Sequence, residues 1–326
     1  MSARSFSRFA APALACAVLL IAALSAGAQA PAKQKFVKVG EGIYAALPAP
    51  GADVVANSGF VIGKDAVWIY DSMRPEISEG MLTEIRRLTP LPVKYVINSH
   101  HHYELVLGNS LFKEATIISH ANARKNLITT PPEAQIARTR ANLVRLGFDA
   151  GPEEKLPPLR LPDVTFTDRL VFHDGDREIQ VIHLGRYHTD GDAVLYLPRE
   201  KVLFSGDLLP GIGGPGGQQE AYFREFVQAI DKALALDIET IVPGRGPQLA
   251  TKQELRNFRQ YFVELIAEVQ KYVDRGATLE EAQKGVKPSA YLDPKRMDTP
   301  SFKRLWSDTV RRAYEELKSP DAAQRP

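Results

Sequence analysis

The chain has 326 residues, of which 44% are hydrophobic and 25% charged, so it has an ordinary globular composition and ample length for a large core. Removing residues 1–28, a predicted signal, takes two of the 41 basic residues and leaves 39 against 39 acidic ones. This balance excludes an electrostatic case for nucleic acid or an anionic membrane as a partner. The oligomeric state stays open.

Residues 1–28 are typical of a secretory signal peptide. Two arginines precede the apolar stretch Ala10–Ala23, and the small-residue pattern Ala26-Gly27-Ala28 follows it. The pattern predicts cleavage after Ala28 and an exported protein, periplasmic or secreted, with no stable membrane anchor; an uncleaved anchor is the alternative. The single cysteine, Cys16, lies inside this segment, so any metal in the mature chain must be held by histidines and carboxylates.

The first half of the chain predicts strands followed by alternating helices and strands. The predicted strands are a pair within Gln34–Ala46, then Ser58–Ile62, Ala66–Tyr70, Val93–Ile97 and Ala115–Ser119. The predicted helices are Pro75–Leu88, Asn122–Leu127 and Pro132–Leu146. Gly147–Pro162 is rich in proline, glycine and charge, which indicates a loop or a boundary between two halves.

The second half repeats this order. Strands are predicted at Val164–Thr167, Leu170–His173, Glu178–His183, Ala193–Leu197, Val202–Ser205 and Glu239–Val242, and helices at Ala221–Leu236, Thr251–Asp274, Leu279–Lys284 and Ser301–Glu316. Two such halves placed face to face predict an α/β fold, a four-layer αββα sandwich with helices outside both sheets.

Three consecutive histidines follow the predicted strand Val93–Ile97, in the loop Asn98–Asn109. Because side chains alternate along extended backbone, His100 and His102 can converge while His101 points away. Neutral imidazole is a good ligand for zinc and for iron, so the pattern predicts a metal site. A solvated polar loop is the alternative.

Five stretches, in this order along the chain, resemble the metallo-β-lactamase superfamily. They are Ile69-Tyr70-Asp71-Ser72, His100-His101-His102-Tyr103-Glu104-Leu105, the H-T-x-G-D pattern at His188–Asp192, Leu203-Phe204-Ser205-Gly206-Asp207 and Val242-Pro243-Gly244-Arg245-Gly246-Pro247. The resemblance implies the four-layer sandwich over residues 36–262, with residues 263–326 as a helical extension packed on it.

The resemblance implies a first metal site at His100, His102 and His188, with Asp207 as a further ligand and a residue that handles protons. Three histidines with an open fourth position form the ligand set of a catalytic zinc. We therefore expect one zinc ion, with iron as the alternative.

The second metal site of the family is degenerate in this chain, because Glu104, Leu105 and Arg245 stand where the family has an aspartate and two histidines. Leucine has no ligand atom, and arginine is a permanent cation without an acceptor lone pair. We expect Glu104 either to act as a general base or to turn to the surface. Arg245 is expected either to bind an anionic part of the substrate or only to pair with Asp207 or Glu104.

The resemblance implies that the protein is an exported zinc metallohydrolase that uses a metal-bound hydroxide. The expected partner is a small-molecule carbonyl substrate, which could be a lactam, a lactone, an ester or a thioester. One alternative is a mononuclear iron dioxygenase that holds iron with His100, His188 and Asp207. Another is a binding or accessory protein that keeps the fold without catalysis.

The other histidines are given structural roles. His120 is expected in the core or at a helix cap, His173 at the surface and His183 in a satisfied structural position. The glycine-rich loop Leu208–Gln219 is expected to shape substrate entry or to be a plain connector.

Overall fold

The computed structural model describes residues 33–52, 54–145, 158–211, 218–292 and 294–319. The predicted signal peptide and most of the predicted loop Gly147–Pro162 lie outside these residues. Twelve strands are described: β1 Gln34–Gly40, β2 Ile43–Pro48, β3 Ser58–Ile62, β4 Val67–Tyr70, β5 Val93–Ile97, β6 Thr116–His120, β7 Val164–Phe166, β8 Arg169–Asp174, β9 Arg177–Ile182, β10 Val194–Leu197, β11 Val202–Gly206 and β12 Thr240–Pro243.

The described helices are α1 Pro75–Leu88, α2 Tyr103–Val106, α3 Ala121–Thr129, α4 Pro132–Arg145, α5 Phe223–Leu234, α6 Lys252–Asp274, α7 Leu279–Gly285, α8 Pro294–Met297 and α9 Pro300–Lys318, with a 3-10 helix at Leu107–Leu111. Proline at the first position of α1 costs no hydrogen bond, and a capping box of Thr251 and Glu254 starts α6.

The twelve strands form two sheets that pack face to face. The first sheet has the order β1-β2-β3-β4-β5-β6-β7 and the second β12-β11-β10-β9-β8. Buried side chains of both sheets share one core, in which the rings of Tyr70 and Phe204 lie 5.7 Å apart. Met81 and Ile85 of α1 cover the outer face of the first sheet, and α5, α6 and α9 cover the outer face of the second. The predicted αββα sandwich is confirmed.

The strand β7 lies in the first sheet, whereas a boundary at Gly147–Pro162 would place it in the second half. It pairs in parallel with β6 from Ile118 to His120. Asp163 fixes this pairing at its start, because its backbone N–H donates to the carbonyl of Ile117 and its carboxylate accepts from the Ile117 N–H. The strand β7 therefore pairs with the free edge of β6 before the chain crosses to the second sheet.

The sheets bring five chain segments to one edge of the sandwich. β4, β5 and β6 are parallel, so the residues that follow them meet there, and β11 and β12 are parallel in the second sheet. Backbone hydrogen bonds join the sheets at this edge. The N–H of Ala193 donates to the carbonyl of Ser99, and the N–H of Asn57 donates to the carbonyl of Gly244. A ligand site at this edge follows the general rule for open α/β sheets.

The C-terminal helices extend the outer layer of the second sheet. The predicted boundary between residues 262 and 263 falls inside the continuous helix α6, which runs to Asp274. Apolar side chains of α6 and α9 share one core, with Trp306 close to Tyr261. Among the described residues, every helix is too short or too polar to cross a membrane.

Candidate metal centre

Asp71, directly after β4, anchors the histidine loop. Its backbone has φ +62°, a left-handed conformation that aspartate tolerates better than most residues. This turn directs the buried carboxylate under the loop, where it accepts a hydrogen bond of 2.7 Å from the Ser99 N–H. Burial raises the pKa of Asp71 to about 8, although the hydrogen bonds from Ser99 oppose the shift.

Three buried imidazole nitrogens converge at the edge of the sandwich. His100 Nε2 lies 3.0 Å from His102 Nδ1, and His188 Nε2 lies 3.4 Å from the same atom. Ligand atoms that bind one tetrahedral zinc at about 2.0–2.1 Å are separated by about 3.3 Å. The three histidines therefore fit one metal ion, and they form one of two groups of possible ligands found among the described residues.

Neighbouring groups hold His100 in the form and orientation that a metal needs. The Ser99 hydroxyl lies 2.9 Å from His100 Nδ1, which leaves Nε2 directed at the cluster. Burial keeps the pKa of His100 well below its usual value, so the ring is the neutral imidazole that binds metals. A hydrogen-bonded ring nitrogen fixes the tautomer and orientation of a ligating histidine.

Asp192 builds the turn that carries His188. Its carboxylate accepts hydrogen bonds from the backbone N–H of Thr189, at 2.6 Å, and from the Thr189 hydroxyl, at 3.0 Å. The Asp192 carboxylate also lies 3.9 Å from His100 Nδ1. The H-T-x-G-D pattern thus supplies one candidate ligand, His188, together with the residues that shape its loop.

Asp207 lies beside the cluster at the end of β11, with Oδ2 3.2 Å from His188 Nε2. Burial acts to raise the pKa of Asp207, but the guanidinium of Arg245 and the nearby imidazoles outweigh it and hold that pKa well below its usual range. Gly206 precedes it with φ +49°, and a Cβ there would lie 2.8 Å from the Tyr70 hydroxyl. This close packing fixes the position of the carboxylate.

Arg245 lies directly beyond β12 and contacts two carboxylates of the site. Its Nη2 donates to Asp207 Oδ2 at 2.9 Å and lies 3.5 Å from Glu104 Oε1, and its Nη1 donates to the Val55 carbonyl at 3.0 Å. These ion pairs with Asp207 and Glu104 are part of both expected roles of Arg245, so binding of a substrate anion stays a prediction. A fixed cation therefore balances the charge of these two buried carboxylates.

Leu105 and Glu104 lie on the short helix α2, which the sequence predicted as loop. Leu105 packs against Met73, Tyr103 and Val106, and the Ser72 hydroxyl donates to its carbonyl. The helix turns Glu104 inward, and only 5% of this residue is exposed. The expectation that Glu104 could turn to the surface is therefore wrong in this structure, since its carboxylate faces Arg245.

His101 and Glu220 form a neighbouring group that the sequence reasoning missed. The alternation of side chains predicts that His101 points away from the other two histidines, yet it is buried beside His102, with ring centroids 4.9 Å apart. His101 Nε2 lies 3.5 Å and His102 Nε2 3.4 Å from Glu220 Oε2. Glu220 belongs to none of the five sequence stretches that resemble the family. The only sequence signal for a further ligand is the run of three consecutive histidines.

The remaining histidines have the structural roles expected of them. His120 caps α3, because its Nδ1 accepts from the Asn122 N–H, and its Nε2 lies 2.9 Å from the Thr167 carbonyl. His183 stacks on His120 with ring centroids 4.0 Å apart, and its Nδ1 lies 2.7 Å from the Asp192 carbonyl. His173 is exposed. Residues 212–217 of the loop Leu208–Gln219 lie outside the described residues.

Comparison with known proteins identifies the family that the chain resembles. Residues 51–245 match the family model described as the metallo-beta-lactamase superfamily, which covers more than half of the chain. A linear primary-alkylsulfatase from Pseudomonas sp. (strain ATCC 19151) is 22% identical over 271 residues, which are 74% of this chain and 50% of the relative. The chain therefore spans about half the length of that curated relative.

Two further relatives carry the lactamase name. A metallo-beta-lactamase type 2 from Bacillus cereus is 24% identical over 200 residues, 60% of this chain and 68% of the relative. The solved structure of a metallo-beta-lactamase from Pontibacter korlensis superposes with a TM-score of 0.53 at 20% sequence identity, covering 70% of this chain and 99% of that one. This structural likeness shows the shared fold.

Proposed function

Because the chain belongs to the metallo-beta-lactamase superfamily, we propose that it is a metal-dependent hydrolase with one catalytic zinc ion held by His100, His102 and His188. The convergence of three buried imidazole nitrogens at tetrahedral spacing carries this proposal. When bound, the zinc ion supplies a nucleophilic hydroxide near neutral pH by lowering the pKa of a water to about 7. Iron is the alternative metal.

Asp207 and Arg245 act as a unit in this proposal. Asp207 adds a carboxylate beside His188, and its lowered pKa keeps it ionised and makes it a weak base. Arg245 balances this charge in place of a second ion, because its Nε and Nη2 both approach Asp207 Oδ2. The arrangement supports a single metal at the reaction centre.

Glu104 is the proposed general base. It lies inside the site on α2 and is held by Arg245 Nη2 at 3.5 Å, so a carboxylate oxygen faces the same space as Asp207. In the proposed reaction this oxygen accepts the proton of the attacking water and returns it to the leaving group. Arg245 contacts Glu104 at 3.5 Å and Asp207 at 2.9 Å, so Glu104 is the less tightly paired of the two carboxylates.

The proposed substrate carries an ester-like bond beside an anionic group. The side chain of Arg245 is 21% exposed, so its outer edge can contact a substrate carboxylate or sulfate. The carbonyl compounds expected from the family are lactams, lactones, esters and thioesters. The alkylsulfatase relative adds sulfate esters to this set, because such a substrate presents its own anion to the guanidinium.

The test is hydrolysis of a panel of these substrates by the mature protein, whose proposed location is the periplasm or the medium. Activity is measured before chelation, after chelation, and after return of zinc or of iron. The proposal expects chelation to abolish hydrolysis and zinc to restore it. Oxygen consumption with iron alone would favour a dioxygenase, and a metal-binding protein inactive on every substrate would favour an accessory role.

A further inference from the structure

The second group of possible ligands lies on the outer side of His102. His102 directs Nδ1 at His100 and His188, and it directs Nε2 at Glu220. His101 Nε2 approaches the same Glu220 oxygen from the other side. His101, His102 and Glu220 each offer one ligand atom, and these three atoms lie within 4.8 Å of one another.

The distances in this group fit a shared ion better than direct hydrogen bonds. Glu220 Oε2 lies 3.4 Å from His102 Nε2 and 3.5 Å from His101 Nε2. Hydrogen bonds between an imidazole N–H and a carboxylate are usually about 2.7–2.9 Å long. Ligand atoms around one tetrahedral zinc are about 3.3 Å apart. Two of the three separations therefore match those around one metal ion, and the third, between the two imidazole nitrogens, is within 4.8 Å.

We propose that His101, His102 and Glu220 form a second divalent-cation site, outside the reaction centre, in which His102 bridges two ions. Two imidazoles and one carboxylate suit zinc and related transition metals. The site differs from the family's second metal position, which Arg245 fills here. The Glu220 side chain is 38% exposed, so the ion can enter from solvent and keep a water as its fourth ligand.

The bridge has a defined proton balance. With an ion on Nδ1, the His102 ring still carries a proton on Nε2, and an ion at the second site replaces this proton, which leaves to solvent. Two ions bound to opposite nitrogens of one ring would be about 6 Å apart, given Zn–N bonds of about 2.0 Å. That separation exceeds the 3.5–4 Å of usual two-metal sites. The outer ion is the weaker one, because its carboxylate is exposed.

The experiment measures zinc bound per chain in the full-length mature protein after dialysis against a several-fold molar excess of zinc. Wild type is expected to hold two ions, whereas Glu220→Gln and His101→Asn are expected to hold one. Glu114→Gln, at an exposed position outside both groups, is the matched control and should hold two. His188→Asn should weaken the inner ion and leave the outer one.

Anomalous scattering at the zinc edge from a zinc-soaked crystal locates the ions. Two peaks about 6 Å apart, the outer one absent in Glu220→Gln, would support the proposal. One ion per chain in wild type under excess zinc overturns it, and so does a second ion that persists in Glu220→Gln and His101→Asn. These outcomes leave the proposed hydrolase untouched, which fails separately if zinc-loaded wild type hydrolyses no substrate.

Discussion

The buried ion pair between Arg245 and Asp207 makes a thermodynamic prediction for Arg245→Met. The variant leaves Asp207, which is 3% exposed, without its cation. Removing one partner of a buried ion pair costs about 3–5 kcal/mol, and the partial exposure of Arg245 places the expected loss at about 3 kcal/mol. This loss applies to the metal-free protein.

The same substitution should cost less when zinc is bound, because a cation at the three histidines lies beside Asp207, whose Oδ2 is 3.2 Å from His188 Nε2. The zinc-loaded variant is therefore expected to lose clearly less stability than the metal-free one. It should keep its inner ion and bind an anionic substrate more weakly, with a raised KM. Urea unfolding with and without zinc measures the difference in the free energy of unfolding.

Arg199→Met is the matched control, since Arg199 pairs with Asp176 at the surface, where both side chains are more than half exposed. Such pairs contribute about 0–1 kcal/mol. The reasoning is refuted if Arg245→Met destabilises the metal-free protein no more than the control does. Equal losses of stability with and without zinc would also refute it, because zinc and Arg245 would then not stabilise the same carboxylate, Asp207.

Three further substitutions test other parts of the structure. Ser99→Ala removes the partner of His100 Nδ1 and should lower zinc affinity about tenfold in a competition titration with a chromophoric chelator. Burial lowers the pKa of His120 to about 4 and also lowers that of His183, so the stability contributed by these two neutral rings is fully present above about pH 6.5 and is lost as pH falls toward 4. His120→Asn, which keeps a capping side chain, should flatten this part of the pH dependence in urea unfolding. Thr251→Ala breaks the capping box of α6 and should cost about 1 kcal/mol by thermal unfolding, and a cost near zero would show that packing alone starts the helix.

The bounds of several elements follow from the sequence because local signals mark them. Pro75 starts α1 and Pro92 precedes β5, and both elements begin and end at the predicted residues. The alternation and apolar runs that predict the remaining strands also place them within one or two residues. These signals are local, and local chemistry decides where such elements stop.

Two structural features escaped the sequence because they depend on distant partners. The helix α2 is four residues long, lacks a side-chain cap, and is held by packing of Leu105 and Tyr103 in a small core. The strand β7 joins the first sheet because β6 offers a free edge there. Neither the packing nor the edge can be read from the residues of these segments alone.

The residues of the site also divide into those that the sequence predicts and those that depend on distant partners. His100, His102 and His188 were predicted from motif positions, and the structure brings their nitrogens together. Glu220 was not predicted, because it lies 118 residues from His102 and follows the glycine-rich loop without any pattern of its own. The contacts of Arg245 with Asp207 and Glu104 required the structure, because they join residues 38 and 141 positions apart in the chain.

The most direct test of the proposed centre is the metal content of the mature protein, purified without chelators and analysed for zinc and iron together. The account predicts about one tightly bound zinc per chain in wild type and a large loss of it in His188→Asn. The exposed His173→Asn is the matched control and should keep the ion. Wild type that holds no metal even after reconstitution would contradict the account, and so would a tightly bound ion unaffected by His188→Asn.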